Sequence, residues 1–134
     1  RYDVPLGFEP EPGMLVATVA DYRRLKAECD SPFFRLTLDV GHVVCNGEGD
    51  PSDIIREHAA EIVNIHLEDM KPGVHEHLPF GEGALDFPPV LRTIRDSGYD
   101  RGVYVELSRD SHRAPEAARQ AISFLKTCLA SLDE

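Results

Sequence analysis

The sequence has few cysteines and no long apolar run. Its three cysteines, Cys29, Cys45 and Cys128, are odd in number, and no two of them form a CxxC pair. Such a set favours reduced thiols over a disulfide framework. No signal peptide is recognisable, and no apolar stretch is long enough to span a membrane. We therefore expect a cytoplasmic protein, although a leader segment already removed from the sequence would escape this argument.

Positive charge is also scarce. Fourteen lysines and arginines stand against 24 aspartates and glutamates, so the formal net charge is −10. Nucleic-acid affinity comes largely from Lys and Arg contacts to phosphate, and this balance therefore argues against DNA or an anionic membrane as a partner. The sequence also contains no GxGxxG or P-loop motif that would indicate a nucleotide.

The composition is otherwise that of an ordinary globular domain. The 134 residues are 42% hydrophobic and 28% charged, which is enough for one domain with a core. We therefore treat residues 1–134 as a single region, either one domain or part of one.

Four short apolar runs each end in a residue that can bind a metal or move a proton. The clearest is the stretch LTLDVGH at residues 36–42, which carries Asp39 and His42. The terminal residues of the four runs are Glu9, Asp39, His66 and Glu106. Each is separated from the next by about one strand, one helix and their loops, so the repeating unit is βα. In parallel sheets ligands bind beyond the carboxyl ends of the strands, which places these residues at a candidate site.

The pattern predicts four strands and four helices. The strands are expected at residues 4–9, 34–39, 61–67 and 102–107. The first helix is expected to run from a capping box at Thr18 and Asp21 to about Cys29, and the second to begin at Asp50-Pro51. The third is expected to run from Asp86, as its N-cap, to Gly98. The fourth is expected to begin at Pro115 and to carry an apolar stripe, which consists of Ala118, Ala121, Ile122, Leu125, Cys128, Leu129 and Leu132. Residues 69–85 are expected to form one long irregular segment, and such segments are more often functional than idle.

Four successive βα units predict a parallel sheet with right-handed crossovers. That is half of a (β/α)8 TIM barrel, whose usual length is about 250 residues. One face of the half-sheet, expected to carry Phe8, Leu38, Ile65 and Val105 or their neighbours, would lack a covering layer, and both edge strands would be unpaired. We therefore expect another half-barrel as a partner, supplied by residues outside this sequence, by a separate chain or by a second copy.

The four strand-end residues form an oxygen-rich ligand set with one nitrogen. Two glutamates, one aspartate and one histidine suit Mn²⁺, Mg²⁺, Co²⁺ or Zn²⁺. Any one carboxylate at a strand end can instead cap the next helix, but four residues in equivalent places favour a metal site. Glu11 is the main rival ligand at the first strand, and we prefer Glu9 because it ends the apolar run directly.

Four segments of the sequence resemble a known family. LTLDVGH, IVNIHLED, LPFGEGALDF and SGYDRGVYVEL, in this order, resemble strands five to eight of the xylose-isomerase-like TIM-barrel superfamily. That superfamily includes sugar-phosphate isomerases and epimerases, ketose 3-epimerases, hydroxypyruvate isomerase and the endonuclease IV class of AP endonucleases. The resemblance implies that Glu9, Asp39, His66 and Glu106 bind one divalent metal ion. It also implies that Glu9 and Glu106 act as an acid/base pair.

The resemblance extends to residues around that set. His42 matches a substrate-binding histidine of the epimerase branch and an additional metal ligand of the endonuclease branch. The endonuclease branch has an aspartate and a histidine before its GEG turn, where this sequence has His75 and His77. The missing aspartate weighs against a three-metal site. His77 and Arg109 are further candidates for substrate contact, although loop or helix-capping roles remain open for both.

Some neighbouring residues have simpler interpretations. His112, just beyond the last ligand, can receive a substrate group, cap the last helix or face water. Glu82 within the GEG turn is interpreted as a turn residue rather than a catalyst. His58, between Glu57 and Glu61 in sequence, is expected at the surface of its helix.

The leading hypothesis is a metal-dependent isomerase or epimerase of a small sugar, sugar phosphate or related hydroxy-carbonyl compound. A divalent ion would polarise a carbonyl, lower the pKa of the adjacent C–H and stabilise an enediolate, while one carboxylate takes the proton and the other returns one. A metal-dependent phosphodiesterase of the AP endonuclease type is the first alternative, and the net charge argues against it. A noncatalytic half-barrel that serves in assembly or metal binding is the second.

Overall fold

The computed structural model describes residues 2–132 and contains a parallel sheet, a small antiparallel hairpin and a set of helices. The strands are β1 (Leu6–Phe8), β2 (Phe34–Asp39), β3 (Ile62–Leu67), β4 (Asp69–Lys71), β5 (Val74–Leu78) and β6 (Val103–Val105). The helices are α1 (Val19–Cys29), α2 (Val40–Asn46), α3 (Pro51–His58), α4 (Phe87–Asp96) and α5 (Ala114–Ala130), with a 3-10 helix at Ser108–Arg113.

The main sheet has the strand order β1-β2-β3-β6, and every pair in it is parallel. Helices connect each strand to the next one in the sheet, which is the pattern of consecutive βα units. The predicted parallel α/β architecture is therefore confirmed. Strands β4 and β5 form a separate antiparallel pair. Within the described residues, no helix is both long enough and apolar enough to cross a membrane.

The core lies between one face of the sheet and the helices. Its buried members come from two strands, β2 and β3, and from four helices: Phe34, Leu36, Leu38, Ile62, Ile65, Leu67, Val19, Tyr22, Val40, Val43, Ile55, Phe87, Val90, Leu91 and Ile94. The rings of Phe8, Tyr22 and Phe34 pack together, with centroids 5.5 to 6.4 Å apart, and join β1 and β2 to α1. This apolar layer fixes the strands whose ends carry the candidate site.

The sequence left two sets of residues open for the uncovered face of the sheet, and the structure favours the neighbours of Phe8, Leu38, Ile65 and Val105 over these four residues themselves. Phe8 is in register with Leu36 of the core, and Val105 with Leu67, while Leu38 and Ile65 belong to the core itself, so all of these side chains point toward the helices. The reason is strand alternation, because a shift by one residue moves every side chain to the other face.

The opposite face is mixed rather than apolar. It carries Thr37 and Val63, which lie against Gly7, and also Asn64 and His66, which are hydrogen-bonded to each other. The open face of the sheet is therefore suited to hold polar ligands as well as to pack.

Helix α2 follows β2 without a loop and was not predicted. The side chain of Asp39 caps it by accepting a hydrogen bond from the His42 N–H at 2.8 Å. Gly47, with a φ of 66°, ends it in the left-handed conformation that glycine adopts without strain. The β-branched valines of this run favour strand in isolation, so the two caps decide the local structure.

The segment 69–85 is more regular than predicted. Its first half is the β4–β5 hairpin, with Gly73 (φ 71°) at the turn. The Gly73 N–H donates to the carbonyl of Cys45, which ties the turn to the end of α2. The hairpin is therefore held in a fixed position beside the candidate site.

Three smaller predictions also need correction. His58 is buried, because it lies on the same face of α3 as Ile55. Asp86 is at the N-cap of α4, but its side chain makes no capping hydrogen bond, since Pro88 and Pro89 lack the N–H groups it would bind. On α5, Ala121 is buried as predicted, whereas three residues of the predicted stripe, Ala118, Ile122 and Leu129, are exposed.

Candidate metal centre

The residues that end the four parallel strands meet at one edge of the sheet. Glu9 follows β1, Asp39 ends β2, His66 lies near the end of β3, and Glu106 follows β6. One ligand atom from each of the four lies within 4.8 Å of those of the other three. The structure therefore brings together all four of the predicted metal ligands.

His66 is the centre of this group. Its Nδ1 is 2.9 Å from Oε1 of Glu9 and 2.7 Å from Oε2 of Glu106, and its Nε2 is 2.8 Å from Nδ2 of Asn64. The hydrogen bond to Glu9 and the charges of Glu9, Glu106 and Asp39 raise the pKa of His66, outweighing burial, which lowers it. The imidazole thus turns Nδ1 toward the carboxylates, while Asn64 holds the opposite side of the ring.

Asp39 uses its two oxygens differently. Oδ1 accepts the capping hydrogen bond from His42, whereas Oδ2 is buried and has no hydrogen-bond partner. An unsatisfied buried acceptor costs about 1 to 3 kcal/mol, and a cation at this point would remove that cost. Capping and metal binding are therefore compatible at Asp39.

The donor set fits a divalent cation. Three carboxylates and one imidazole are ligands that Mn²⁺, Mg²⁺, Co²⁺ and Zn²⁺ accept, and the free Oδ2 of Asp39 points to a missing positive partner. Within residues 2–132, Glu11 joins none of the groups in which three or more metal-ligating side chains converge. The geometry therefore favours Glu9 over Glu11.

Three histidines form a second cluster beside this centre. Nδ1 of His42 is 3.0 Å from the carbonyl of Pro10, and Nε2 of His42 is 3.2 Å from Nε2 of His75. The ring centroids of His42, His75 and His77 lie 5.0 to 5.7 Å apart. Burial and the neighbouring His42 and His77 rings lower the pKa of His75. The predicted substrate-binding residues His42 and His77 are thus adjacent to the strand-end ligands.

Arg109 lies apart from this cluster. It is exposed and pairs with Glu76 of β5, a contact that joins the 3-10 helix to the hairpin. His112 is also exposed, and its Nδ1 lies 3.2 Å from the carbonyl of Arg109. The structure therefore gives these two residues surface contacts rather than a place among the ligands.

Sequence reasoning missed three polar residues near the centre. Asn64 holds His66, as described above. Glu68 is fully buried, and burial together with the adjacent Asp39 raises its pKa far above the usual range for a carboxyl. Strand alternation offered a signal for both, because Asn64, His66 and Glu68 recur with the period of two that places side chains on one face.

The third missed residue, Asp69, organises the loop after the hairpin. Its carboxylate accepts hydrogen bonds from the N–H groups of Met70, Gly81 and Leu85 at 2.9 to 3.0 Å. A Cβ on Gly83 would collide with the same carboxylate, so only glycine fits there. Asp69 thereby fixes the GEG turn at residues 81–83 against the end of β3.

A parallel βα sheet with candidate acidic and imidazole ligands at its carboxyl edge defines an α/β protein. The family model of the xylose isomerase-like TIM barrel matches residues 1–128. The L-ribulose-5-phosphate 3-epimerase UlaE of Salmonella paratyphi B is 31% identical to the chain over 103 residues, which are 76% of this chain and 36% of that protein. A D-tagatose 3-epimerase-like protein of known structure is 25% identical, with a TM-score of 0.72 over 96% of this chain and 48% of its own.

The chain therefore belongs to the xylose isomerase-like TIM-barrel family. A xylose isomerase domain protein from Alicyclobacillus acidocaldarius, 18% identical, has the same fold, with a TM-score of 0.77 over 97% of this chain and 52% of its own. The chain spans about a third of the length of the curated relative and about half of the solved structures. Its four parallel strands are thus part of a TIM barrel, as the sequence predicted.

Proposed function

We propose that this chain carries the metal-binding and proton-transferring part of an epimerase or isomerase that acts on a small ketose, sugar phosphate or related hydroxy-carbonyl compound. The observation that carries the proposal is the approach of Glu9 and Glu106, from opposite edge strands, to the same nitrogen of His66. The similarity to an L-ribulose-5-phosphate 3-epimerase supports this substrate class.

Glu9, Asp39, His66 and Glu106 would hold the ion. When bound, a divalent cation supplies a positive charge that polarises the substrate carbonyl and stabilises the enediolate after proton removal. Asn64 would orient the ring of His66, and the cap at Asp39 would keep its free oxygen directed into the site. The four ligands thus act on a substrate whose oxygens face the carboxyl edge of the sheet.

Glu9 and Glu106 would perform the proton transfers. They reach the site from β1 and β6, the two edges of the sheet, so they approach a bound substrate from different sides. A carboxylate that removes a proton from one face, with its partner returning one to the other face, inverts the carbon and produces an epimer. Return of the proton to the neighbouring carbon produces an isomer instead.

His42 and His77 are proposed to contact substrate hydroxyl groups beside the metal. Their rings lie next to Asp39, with Nε2 of His42 3.9 Å from its Oδ2. Arg109 is paired with Glu76, and this ion pair would have to break before Arg109 could contact a substrate. Its contact with the substrate is therefore proposed only for the substrate-bound protein.

We further propose that residues 1–134 form one region, the C-terminal half of a cytoplasmic TIM barrel completed by another half-barrel. The share of the relatives that the chain covers supports this arrangement. Partners other than that half-barrel and a carbohydrate are not expected, because the charge of −10 disfavours nucleic acid and anionic membrane.

Solvent exchange tests the proposal. The intact protein, loaded with Mn²⁺ and incubated in D2O with L-ribulose 5-phosphate or D-tagatose, should incorporate deuterium next to the carbonyl. Glu9→Gln and Glu106→Gln should each reduce the rate at least 100-fold, since general acid–base catalysis contributes about that much or more. Glu28→Gln, on the exposed side of α1, is the matched control and should exchange at the parental rate. Parental exchange in both site variants would contradict the proposal.

The same preparation separates the two alternatives. Metal-dependent cleavage of DNA with an abasic site, without exchange on any ketose, would favour a phosphodiesterase. Stoichiometric metal binding with neither activity would favour a noncatalytic module.

A further inference from the structure

A cavity of about 320 Å³ lies between helix α5, the 3-10 helix and the GEG turn. Its walls come from residues 79–124, so another half-barrel is not needed to form it. Pockets that bind small molecules have volumes of about 300 to 1,000 Å³, so this cavity has room for one small ring. The proposed proton transfer gives the cavity no role.

The floor of the cavity is aromatic and belongs to the helix side of the sheet. Phe80 and Phe124 line the cavity, and their rings stack with centroids 5.3 Å apart. Both rings contact Phe87 of the core, at centroid distances of 4.8 and 5.4 Å. Leu107, which directly follows the last strand-end ligand, also lines the cavity. The cavity therefore adjoins the strand-end centre along the chain, whereas its floor faces away from the open side of the sheet.

The polar part of the lining offers both hydrogen-bond donors and acceptors. The guanidinium of Arg113 donates from Nε to Oδ1 of Asp110 at 2.7 Å and from Nη1 to Oε1 of Gln120 at 3.2 Å. Within residues 2–132, Nη2 of Arg113 makes no hydrogen bond, so it can donate to a ligand. The carboxylates of Asp110 and Glu82 supply acceptors. The two bonds of Arg113 hold its guanidinium in place before any ligand binds.

The charges of this lining disfavour a charged ligand. An anion drawn to Arg113 would meet the carboxylates of Asp110 and Glu82, and a cation drawn to these carboxylates would meet the guanidinium. A hydroxyl group avoids both conflicts, because it donates to a carboxylate and accepts from a guanidinium. A ring with several hydroxyl groups and an apolar face would use the polar and the aromatic parts of the lining together.

We propose that this cavity binds a neutral sugar ring, at a site separate from the strand-end centre. The ring would pack against Phe80 and Phe124, and its hydroxyl groups would bond to Glu82, Asp110 and Nη2 of Arg113. The proposal does not depend on the proposed epimerase or isomerase activity, because binding alone tests it. A free monosaccharide and the glycosyl unit of a longer substrate present the same chemistry to the cavity, and the experiments below distinguish them.

An NMR titration of the isotope-labelled intact protein tests the proposal, with a chelator present so that no metal occupies the strand-end centre. The probes are the methyl glycosides of glucose, galactose and xylose. At least one of them should shift the amide signals of residues 79–82, 107–113 and 117–124. Failure of all three probes to shift these signals would overturn the proposal.

Two variants locate the binding site. Ala117→Leu places a larger side chain at the buried wall of the cavity and should abolish the shifts. Ala118→Leu, on the exposed side of the same helix, is the matched control and should bind as the parent does. Glu82→Ala serves if Ala117→Leu does not fold, and it should weaken binding about tenfold, the loss expected for one hydrogen bond. Parental affinity in the folded variants would overturn the proposal.

Charged rings test the selectivity of the site. Glucuronate and glucosamine carry a negative and a positive charge on a similar ring, and each should bind more weakly than methyl glucoside. Tighter binding of glucuronate would overturn the proposal in favour of an anion site at Arg113. Tighter binding of glucosamine would overturn it in favour of a cation site at the carboxylates.

Lactulose, a ketose that carries a galactosyl unit, distinguishes the two sources of the ring. A glycosyl unit whose ketose part reaches the metal should bind more tightly with Mn²⁺ present than with the chelator. Equal affinity in both conditions would assign the cavity to a free monosaccharide. Methyl galactoside is the control, because its affinity should not depend on Mn²⁺ in either case.

Discussion

Asp39 combines a structural task, the capping of α2, with a proposed role in metal binding in one carboxylate. Asparagine at this position keeps a cap acceptor but lacks the charge, whereas alanine lacks both. We expect Asp39→Asn and Asp39→Ala to lose stoichiometric metal binding, and the alanine variant to be less stable than the asparagine variant by about 1 kcal/mol. Isothermal titration with Mn²⁺ and urea unfolding in the presence of a chelator measure the two effects. Equal stability of both variants would contradict the capping role.

Asn64 gives a second prediction at the residue scale. An ion bound to Nδ1 of His66 leaves the proton on Nε2, so Asn64 would then turn its carbonyl oxygen toward the ring as the acceptor. Asn64→Leu should lower metal affinity by about 10- to 100-fold, the usual cost of losing such a partner. Asn64→Asp, which still accepts, should stay close to the parent. Competition with a fluorescent chelator measures both, and equal losses in the two variants would exclude this orienting role.

The four strand-end residues could be predicted from sequence because each closes an apolar run, and parallel strands bring such ends together. Strand alternation indicates the face on which Glu68 lies, but its burial against Asp39 and Gly41 could not be predicted, because these residues are distant in sequence and face it only in the folded sheet. His58 was misjudged for the same reason, since the packing partner of a helix face is not visible in the sequence.

At the scale of single elements, helix α1 confirms its predicted start. Thr18 and Asp21 form a capping box, in which the Asp21 N–H donates to Thr18 Oγ1 at 3.0 Å and the Thr18 N–H donates to Asp21 Oδ2 at 3.1 Å. Helix α2 and the β4–β5 hairpin were not predicted. The valine-rich sequence of α2 and the polar sequence of the hairpin show no clear periodicity of polar and apolar residues. In both, glycines and contacts between elements decide the conformation.

The capping box has a pH signature. Hydrogen bonds from Thr18 lower the pKa of Asp21 below its ordinary value of 3.8. A carboxyl whose pKa is lowered on folding contributes stability above the unfolded value, and this contribution disappears as pH falls through the folded value. We expect Asp21→Asn to be less stable than the parent at neutral pH, with the difference shrinking in acid. Urea unfolding across this range measures it, and a difference independent of pH would contradict it.

The loop organised by Asp69 is the second element with a clear test. Asp69→Ala removes the acceptor of three backbone N–H groups and should destabilise the protein by roughly 3 kcal/mol, the range for hydrogen bonds to a charged group. Amide exchange should increase most in residues 69–85. Glu82→Ala, exposed within the same loop, should change stability by less than about 0.5 kcal/mol. Unchanged amide exchange in the Asp69→Ala variant would show that the loop keeps its conformation without this carboxylate.

At the scale of the whole molecule, the described sheet leaves β1 and β6 each paired on one side only. The side chains of β6 are exposed, with Tyr104 at 57%. We expect the isolated 134-residue chain to associate with another half-barrel or a second copy of itself, because unpaired edges and uncovered faces favour pairing. Sedimentation at micromolar concentration tests this. A soluble monomer with a cooperative melt would refute the need for a partner.

The position of the strand-end ligands bears on how such a protein diversifies. All four proposed ligands lie on one continuous stretch of chain, from Glu9 to Glu106. If these residues transfer the proton as proposed, the remaining strands of a barrel are free to accumulate substitutions in their loops without disturbing that step. Selection for a new sugar substrate would then change mainly the part of the gene that encodes the remaining strands. Selection that preserves the reaction would constrain the part that encodes the four strand-end residues, so we expect the two halves to evolve at different rates.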